Sequence, residues 1–363
     1  MNAHGISRRQ FLKAAGTLGA AGALAACAAP AQPGQPAEGA GQEAPAPAPA
    51  AAEPTTISLW WWTAEPWNSA ANTYNTVQDK IKINLSEIGD AVWGDQKFMT
   101  AAAAGTGPDA SIQNRHTFMQ FAAKGLYKPL DDYFNNDGYK KDDFFPVQFK
   151  ESSWAGKLYG IPLYTDTRNL YWNRKQLNEA GFQEPPKTWA ELEAYTEKLN
   201  VKNDAGDFER MGFVPYLVGN SWAWIYGFLN GAPAISEDKR TILADDPRWV
   251  EALTWLVNFY DKYLGNFEIA SAFNSGFATS TQDLFAQERV SMQITTDDAA
   301  NFYLRFPDLD FAVSPSPLPP NGVKSSWSCG WTLVIAPQAK FPDQAWEYIK
   351  WQTGPDGWKA IAD

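Results

Sequence analysis

Cysteine and histidine are nearly missing, with two of each in 363 residues. One of each, His4 and Cys27, lies at the extreme N-terminus, leaving His116 and Cys329 for the rest of the chain. That scarcity argues against a Cys/His metal centre and against a His-based catalytic triad. Long apolar runs are missing as well. The best is Ala14 to Ala26, too short to span a bilayer. Positive charge is in deficit, with a formal balance of −11. Nucleic-acid binders carry basic faces, so that class is excluded.

The N-terminus reads as an address. Ser7-Arg-Arg-Gln-Phe-Leu-Lys13 is a twin-arginine pattern, followed by a weakly apolar Ala/Gly/Leu stretch. The stretch ends in Leu24-Ala-Ala-Cys27, which resembles the lipobox of bacterial lipoproteins. That resemblance implies lipid attachment at Cys27, removal of residues 1–26, and anchoring at the outer face of the cytoplasmic membrane. Cys329 would then be alone, so no intramolecular disulfide is expected. Removal also takes Arg8, Arg9 and Lys13, so the remaining charge falls from −11 to −14. Residues 27–54 are rich in Ala, Pro, Gly and Gln. Such a segment cannot bury a core and is expected to be an extended, disordered tether.

From residue 55 onward about 310 residues remain, enough for two lobes. All 17 Trp lie there. Some belong to a core, but the number suggests surplus rings for sugar faces or a cationic ligand.

The stretch from Lys157 to Arg174 organises the rest. It reads as two strand pieces around a polar joint, Thr165-Asp-Thr-Arg-Asn169, where a plain turn would carry Gly or Asn-Gly. A hinge at the floor of a cleft and an ordinary polar loop both fit. Before it, strands at 56–62 and 82–87 alternate with helices at 68–79, 98–104 and 118–124, the last stopped by Gly125. That order predicts an α/β lobe with a largely parallel sheet. After it, Thr188-Trp-Ala-Glu191 is a capping box. Asp246-Pro247 opens a helix with Trp249, Val250, Leu253, Val257 and Tyr260 on one face. A short helix is expected at 282–288, strands at 290–294 and 331–335, and a helix from Pro342. Pro355 to Asp363 looks like a helix just begun, so the C-terminus is expected to be incomplete.

In order, these pieces resemble the extracellular solute-binding lipoproteins of carbohydrate ABC importers, the maltose-binding-protein-like group. The resemblance rests on Leu59–Trp62, Ala104-Gly-Thr-Gly-Pro-Asp109, Gly156–Pro162 continuing to Arg174, Pro185–Leu192, Phe285–Met292 and Trp327-Ser-Cys-Gly-Trp331 with Ala336–Lys340. It implies an α/β, two-lobe periplasmic-binding-protein-like fold of type II with an interlobe cleft. The implied crossings lie at 162–169 and near 330–333. Lobe one would comprise 55–164 with a return at 331–363, and lobe two 165–330. It implies no enzyme and no cofactor or metal. Partners would be a sugar or oligosaccharide and the ABC permease subunits, with the protein a monomer.

The resemblance places ligand contacts at Trp62, Thr63 and Glu65, at Asn114 and Arg115, and at Asp166 and Arg168. On lobe two it places them at Trp222, Trp224, Asp297, Asp298, Trp327 and Trp331. Asp166 stands where maltose-like members hold a hydroxyl-binding carboxylate. Thr296-Asp-Asp298 departs from the family's Gly-x-Trp, exchanging an aromatic platform for carboxylates. Each choice has a structural counterpart: Asp297 as a helix cap, Arg115 as one half of an ion pair, Trp60 or Trp62 as core. Asp95, Asp109 and Trp189 read as structural. Two other functions stay open. One is the same fold holding a cationic or amino ligand between Trp and Asp side chains. The other is a secreted glycosidase using paired carboxylates such as Asp166 and Asp298. A sensory or adhesive lipoprotein on the same fold is also compatible with the residues.

Overall fold

A computed structural model describes residues 53–363 apart from 62–66, 89–90, 216–222, 239, 276–282, 298 and 363. The predicted leader, Cys27 and the tether therefore lie outside the described residues, as do Trp62, Thr63, Glu65, Trp222 and Asp298.

The strand β1 (Thr55–Trp61) buries Ile57, Leu59 and Trp61, every second residue, as a sheet with one covered face requires. It pairs in parallel with β2 (Ile81–Glu87) along its whole length and with β3 (Ala110–Asn114) at its end. Helices Trp67–Val77 and Ala91–Ala103 make the crossovers, so the predicted β-α-β order is observed. The helix Arg115–Ala123 ends before Gly125, whose φ of 70° suits glycine.

A separate hairpin joins β4 (Ser153–Trp154) to β5 (Lys157–Leu158). Ala155 and Gly156 form its two-residue turn, both with positive φ. Then comes β6 (Gly160–Asn173), fourteen residues without a break. The expected pair of strands around a polar joint is thus one strand. Its polar centre does not break because the ladder changes hands there. Residues 160–167 pair antiparallel with β11 (Ser328–Ile335), and residues 168–172 pair with β9 (Val290–Thr296). The short β10 (Phe311–Ser314) covers residues 170–173 from the other side. Backbone groups near the joint are met by these ladders and by side chains, Ser326 on Arg168 and Asp297 on Thr167.

The main sheet runs β2-β1-β3-β11-β6-β9-β8-β7, where β7 is Val201–Lys202 and β8 is Phe208–Phe213. Two apolar cores lie at its two ends. One packs Ile57, Leu59, Trp61, Ile161, Leu163 and Leu333 with Trp346 of the helix Pro342–Thr353. The other packs Leu170, Trp172, Met211, Phe213, Met292 and Ile294 with the helices Trp189–Leu199 and Pro247–Tyr263. The strand β6 feeds the first core with its beginning and the second with its end.

The capping box forms as predicted: the Glu191 amide donates to Thr188 Oγ1 at 3.1 Å, and the Thr188 amide donates to the Glu191 carboxylate at 3.2 Å. Two further expectations fail. Residues 284–288 form hydrogen-bonded turns rather than a helix, ending at Glu288 with φ 58°. A left-handed residue there closes the chain back into β9 through the Arg289 and Val290 amides on the Leu284 carbonyl. The helix Pro247–Tyr263 also buries a different face. Ala252, Leu256, Phe259, Tyr260 and Tyr263 point inward, while Val250, Leu253 and Val257 are more than half exposed. Both stripes are apolar, and the one rich in aromatics packs on Trp189 and Phe213 through Trp255 and Phe259. The exposed stripe borders a groove of about 580 Å³ that also includes Trp224 and Phe267.

Candidate functional site

The two strands that cross between the cores, β6 and β11, gather Asn114, Arg115, Asp166, Arg168, Asp297 and Trp327, with Trp224 against Trp327. Asn114 ends β3, opposite Trp331. It caps the next helix, its Oδ1 accepting from the His116 amide at 3.3 Å. Arg115 is the first residue of that helix and its side chain is almost fully buried. Nη1 donates to the Glu151 carboxylate at 2.6 Å. Nη2 donates to Thr165 Oγ1 at 3.0 Å and to the Cys329 carbonyl. One guanidinium thus ties a helix N-terminus to both crossing strands. The ion pair weighed for Arg115 is formed, with Glu151.

Asp166 and Arg168 alternate along β6 on one face, so both side chains emerge together. Asp166 Oδ1 accepts from Arg168 Nη1 and from the Cys329 amide at 2.8 Å. The Arg168 guanidinium lies over the Trp327 ring, 3.8 Å from its centroid. Trp224 meets Trp327 edge-on at 5.3 Å. The backbone of Arg168 is held by Ser326, whose hydroxyl accepts from the Arg168 amide at 2.9 Å and donates to its carbonyl at 2.8 Å. Asp297 sits exposed just after β9; its Oδ1 accepts from the Thr167 amide at 3.3 Å. It therefore also braces the crossing. Trp331, in contrast, is 92% covered and packs on Trp61 with ring centroids 5.8 Å apart, so it belongs to the core. Asp109 is structural as expected, accepting from the Ser58 amide and hydroxyl and from the Phe341 amide.

Gly330 explains how β11 can pass so close. Its φ is 143°, and a Cβ there would stand 2.1 Å from the Tyr164 carbonyl oxygen. Only glycine fits.

Electrostatics at the crossing follow from burial. Burial raises the Glu151 carboxyl, and Arg115 opposes that rise. Desolvation, then the positive charge of Arg168, holds His116 below its ordinary value. Burial and the Asp166 charge raise the Cys329 thiol. That thiol donates to Asn114 Oδ1 at 3.2 Å, with His116 Nδ1 3.5 Å away. Among the described residues no group of three or more His, Cys, Asp or Glu side chains could hold a metal.

Sequence reasoning missed Glu151, Ser326 and Cys329 as parts of this cluster. Glu151 lies 36 residues from Arg115, and no local pattern links them.

The arrangement places polar and aromatic groups where two cores meet. Residues 60–357 match the profile of the bacterial extracellular solute-binding proteins. The chain belongs to this family. Residues 5–25 match the twin-arginine translocation signal, so the solute-binding chain carries an export signal.

A binding protein of Brucella abortus is 26% identical over 266 residues. The match covers 73% of this chain and 62% of the relative, so the chain spans under two-thirds of that relative's length. The maltotriose-binding protein of Pyrococcus abyssi is 22% identical over 312 residues, 83% of this chain and 64% of the relative. Among solved structures, CpMnBP1 with mannobiose bound gives a TM-score of 0.75 at 28% identity, covering 86% of this chain and 80% of that one. Maltose-bound MalE3 of T. maritima gives 0.72 at 19% identity over 85% of this chain and 79% of that one, a likeness of fold. The fold is accordingly the two-lobed α/β fold of type II periplasmic binding proteins.

Proposed function

We propose that this solute-binding protein captures a sugar or oligosaccharide between its two lobes and delivers it to an ABC permease in the membrane. The observation that carries this reading is the convergence of Arg168, Asp166 and Trp327 at the strands joining two separate cores. A flat indole suits the C–H faces of a sugar ring, and surrounding polar groups suit its hydroxyls. The likeness to a mannobiose-bound protein supports the same class. Lobe one is residues 55–164 with the return 331–363, and lobe two is 165–330. Ligand that touches both lobes shifts the equilibrium toward a closed form, which the permease recognises. The protein acts as a monomer without catalysis, and the ATP is hydrolysed elsewhere. Cys27 carries the lipid that holds it at the outer face of the membrane, with residues 28–54 as the tether.

Thermal unfolding against a panel of mono- and oligosaccharides tests this. A cargo at 100 times its dissociation constant adds about 2.7 kcal/mol, a visible rise in the midpoint. A rise with one saccharide class is expected. No rise with any saccharide, or a rise only with amines, would contradict the reading.

A further inference from the structure

The ladder between β6 and β11 stops one residue short of the aromatic stack. Asp166 pairs with Cys329 and Thr167 with Ser328, so Arg168 and Trp327 come next in register. They do not join it, because β11 begins at Ser328. The strand β9 runs along β6 from Arg168 onward, and β10 joins on the other side only at Leu170. Between β11 and β10 the N–H and C=O of Arg168 meet a hydroxyl instead of a strand. Ser326 Oγ accepts from the Arg168 amide at 2.9 Å and donates to the Arg168 carbonyl at 2.8 Å. A hydroxyl can do both at once, so one side chain stands in for a strand residue.

The consequence falls on Trp327. It follows Ser326 directly, outside the ladder, and its ring lies over the guanidinium of the same arginine whose backbone Ser326 holds. The clasp therefore fixes both members of the stack, Arg168 through its backbone and Trp327 through the adjoining peptide. A methyl in place of the hydroxyl would leave two backbone groups of the buried Arg168 to find water or another part of the chain. Either outcome lets the indole move. Ser326 itself is exposed, so loss of its hydroxyl opens no cavity in a core.

We propose that Ser326 is the positioning residue of the Trp327 platform: its hydroxyl, acting through the Arg168 backbone, sets where the indole meets a saccharide. This rests on the saccharide-capture reading above and adds to it the group that holds the platform in place.

The full chain labelled with 5-fluorotryptophan tests the positioning without any ligand. Fluorine NMR gives one resonance per indole, and Trp327→Phe identifies that of Trp327. Ser326→Ala is expected to shift or broaden this resonance and to leave the others in place, apart from that of Trp224, whose ring meets Trp327 edge-on. Ser326→Thr keeps the hydroxyl and is expected to return the resonance to its original position. Calorimetric titration with maltose, mannobiose and cellobiose then reads the effect on capture. For the tightest of these, Ser326→Ala is expected to weaken binding by about fivefold or more, and Ser326→Thr to recover it. In the Trp327→Ala background the same Ser326→Ala change should alter affinity by less than about twofold, because the two residues act as one unit. A Trp327 resonance that stays put in Ser326→Ala overturns the proposal, as does an affinity that does not fall. So does a loss that persists without Trp327, a Ser326→Thr variant that behaves like Ser326→Ala, or a shift spread over all the resonances. Failure of every saccharide to bind overturns the capture reading, while the fluorine spectrum still decides whether Ser326 positions Trp327.

Discussion

Arg168 and Trp327 are stacked, with the guanidinium carbon 3.8 Å from the ring centroid. They lie 159 positions apart in sequence, on the two chain segments that cross between the cores. The stack orients the indole, and Asp166 orients the guanidinium in turn. Trp327→Ala should therefore weaken saccharide binding tenfold or more, about 1.4 kcal/mol. The fold should persist, because Trp327 is only partly buried. Trp154→Ala, on the β4–β5 hairpin and 42% exposed, should leave affinity unchanged. Titration of both variants checks the contrast.

Gly330→Ala should destabilise the protein by more than 1 kcal/mol. Both the positive φ and the Tyr164 carbonyl oxygen in the space a Cβ would fill act in that direction. Urea unfolding gives the magnitude. Binding should fall with it, since β11 would shift away from β6.

The two stripes of the helix Pro247–Tyr263 make opposite predictions. Leu256→Ala removes a buried side chain and should cost about 2–5 kcal/mol. Leu253→Ala removes one that is 58% exposed and should cost under about 1 kcal/mol. Equal losses would contradict the orientation of this helix.

Glu151 sets a pH dependence. Its carboxyl is raised from an ordinary 4.5 by burial, against the pull of Arg115. The native state then holds that proton more tightly than the unfolded chain. Its contribution is complete below about 4.5 and is lost as pH rises toward the raised value. The stability difference between the unaltered protein and Glu151→Gln should thus fall as pH increases through that window. A difference that grows with pH would mean that Arg115 outweighs burial.

The Cys329 thiol should react slowly. Burial and Asp166 raise it, so little thiolate exists at neutral pH. In the Cys27→Ala chain, a thiol reagent should label Cys329 far faster in denaturant than in the native state.

Much of the fold was legible because its signals are local. The Thr188–Glu191 capping box, the Gly125 stop and the alternation of β1 each depend on neighbours within a few residues. The continuity of β6 was not legible. Nothing near Thr165–Asn169 tells that β11 and β9 take over from one another there. The buried face of the helix Pro247–Tyr263 was ambiguous because two stripes are equally apolar. At the site, alternation placed Asp166 and Arg168 on one face, but their partners come from far away. Glu151, Ser326 and the Cys329 amide are set by tertiary structure, and so is the role of Trp331 as core beside Trp61.

The most direct measurement is calorimetric titration of the full chain with neutral oligosaccharides, followed by analysis of the mixture for cleavage products. Saturation at one saccharide per chain, with the saccharide recovered intact, is expected. Absence of saturable binding, or release of shorter sugars, would contradict capture as the function of this protein.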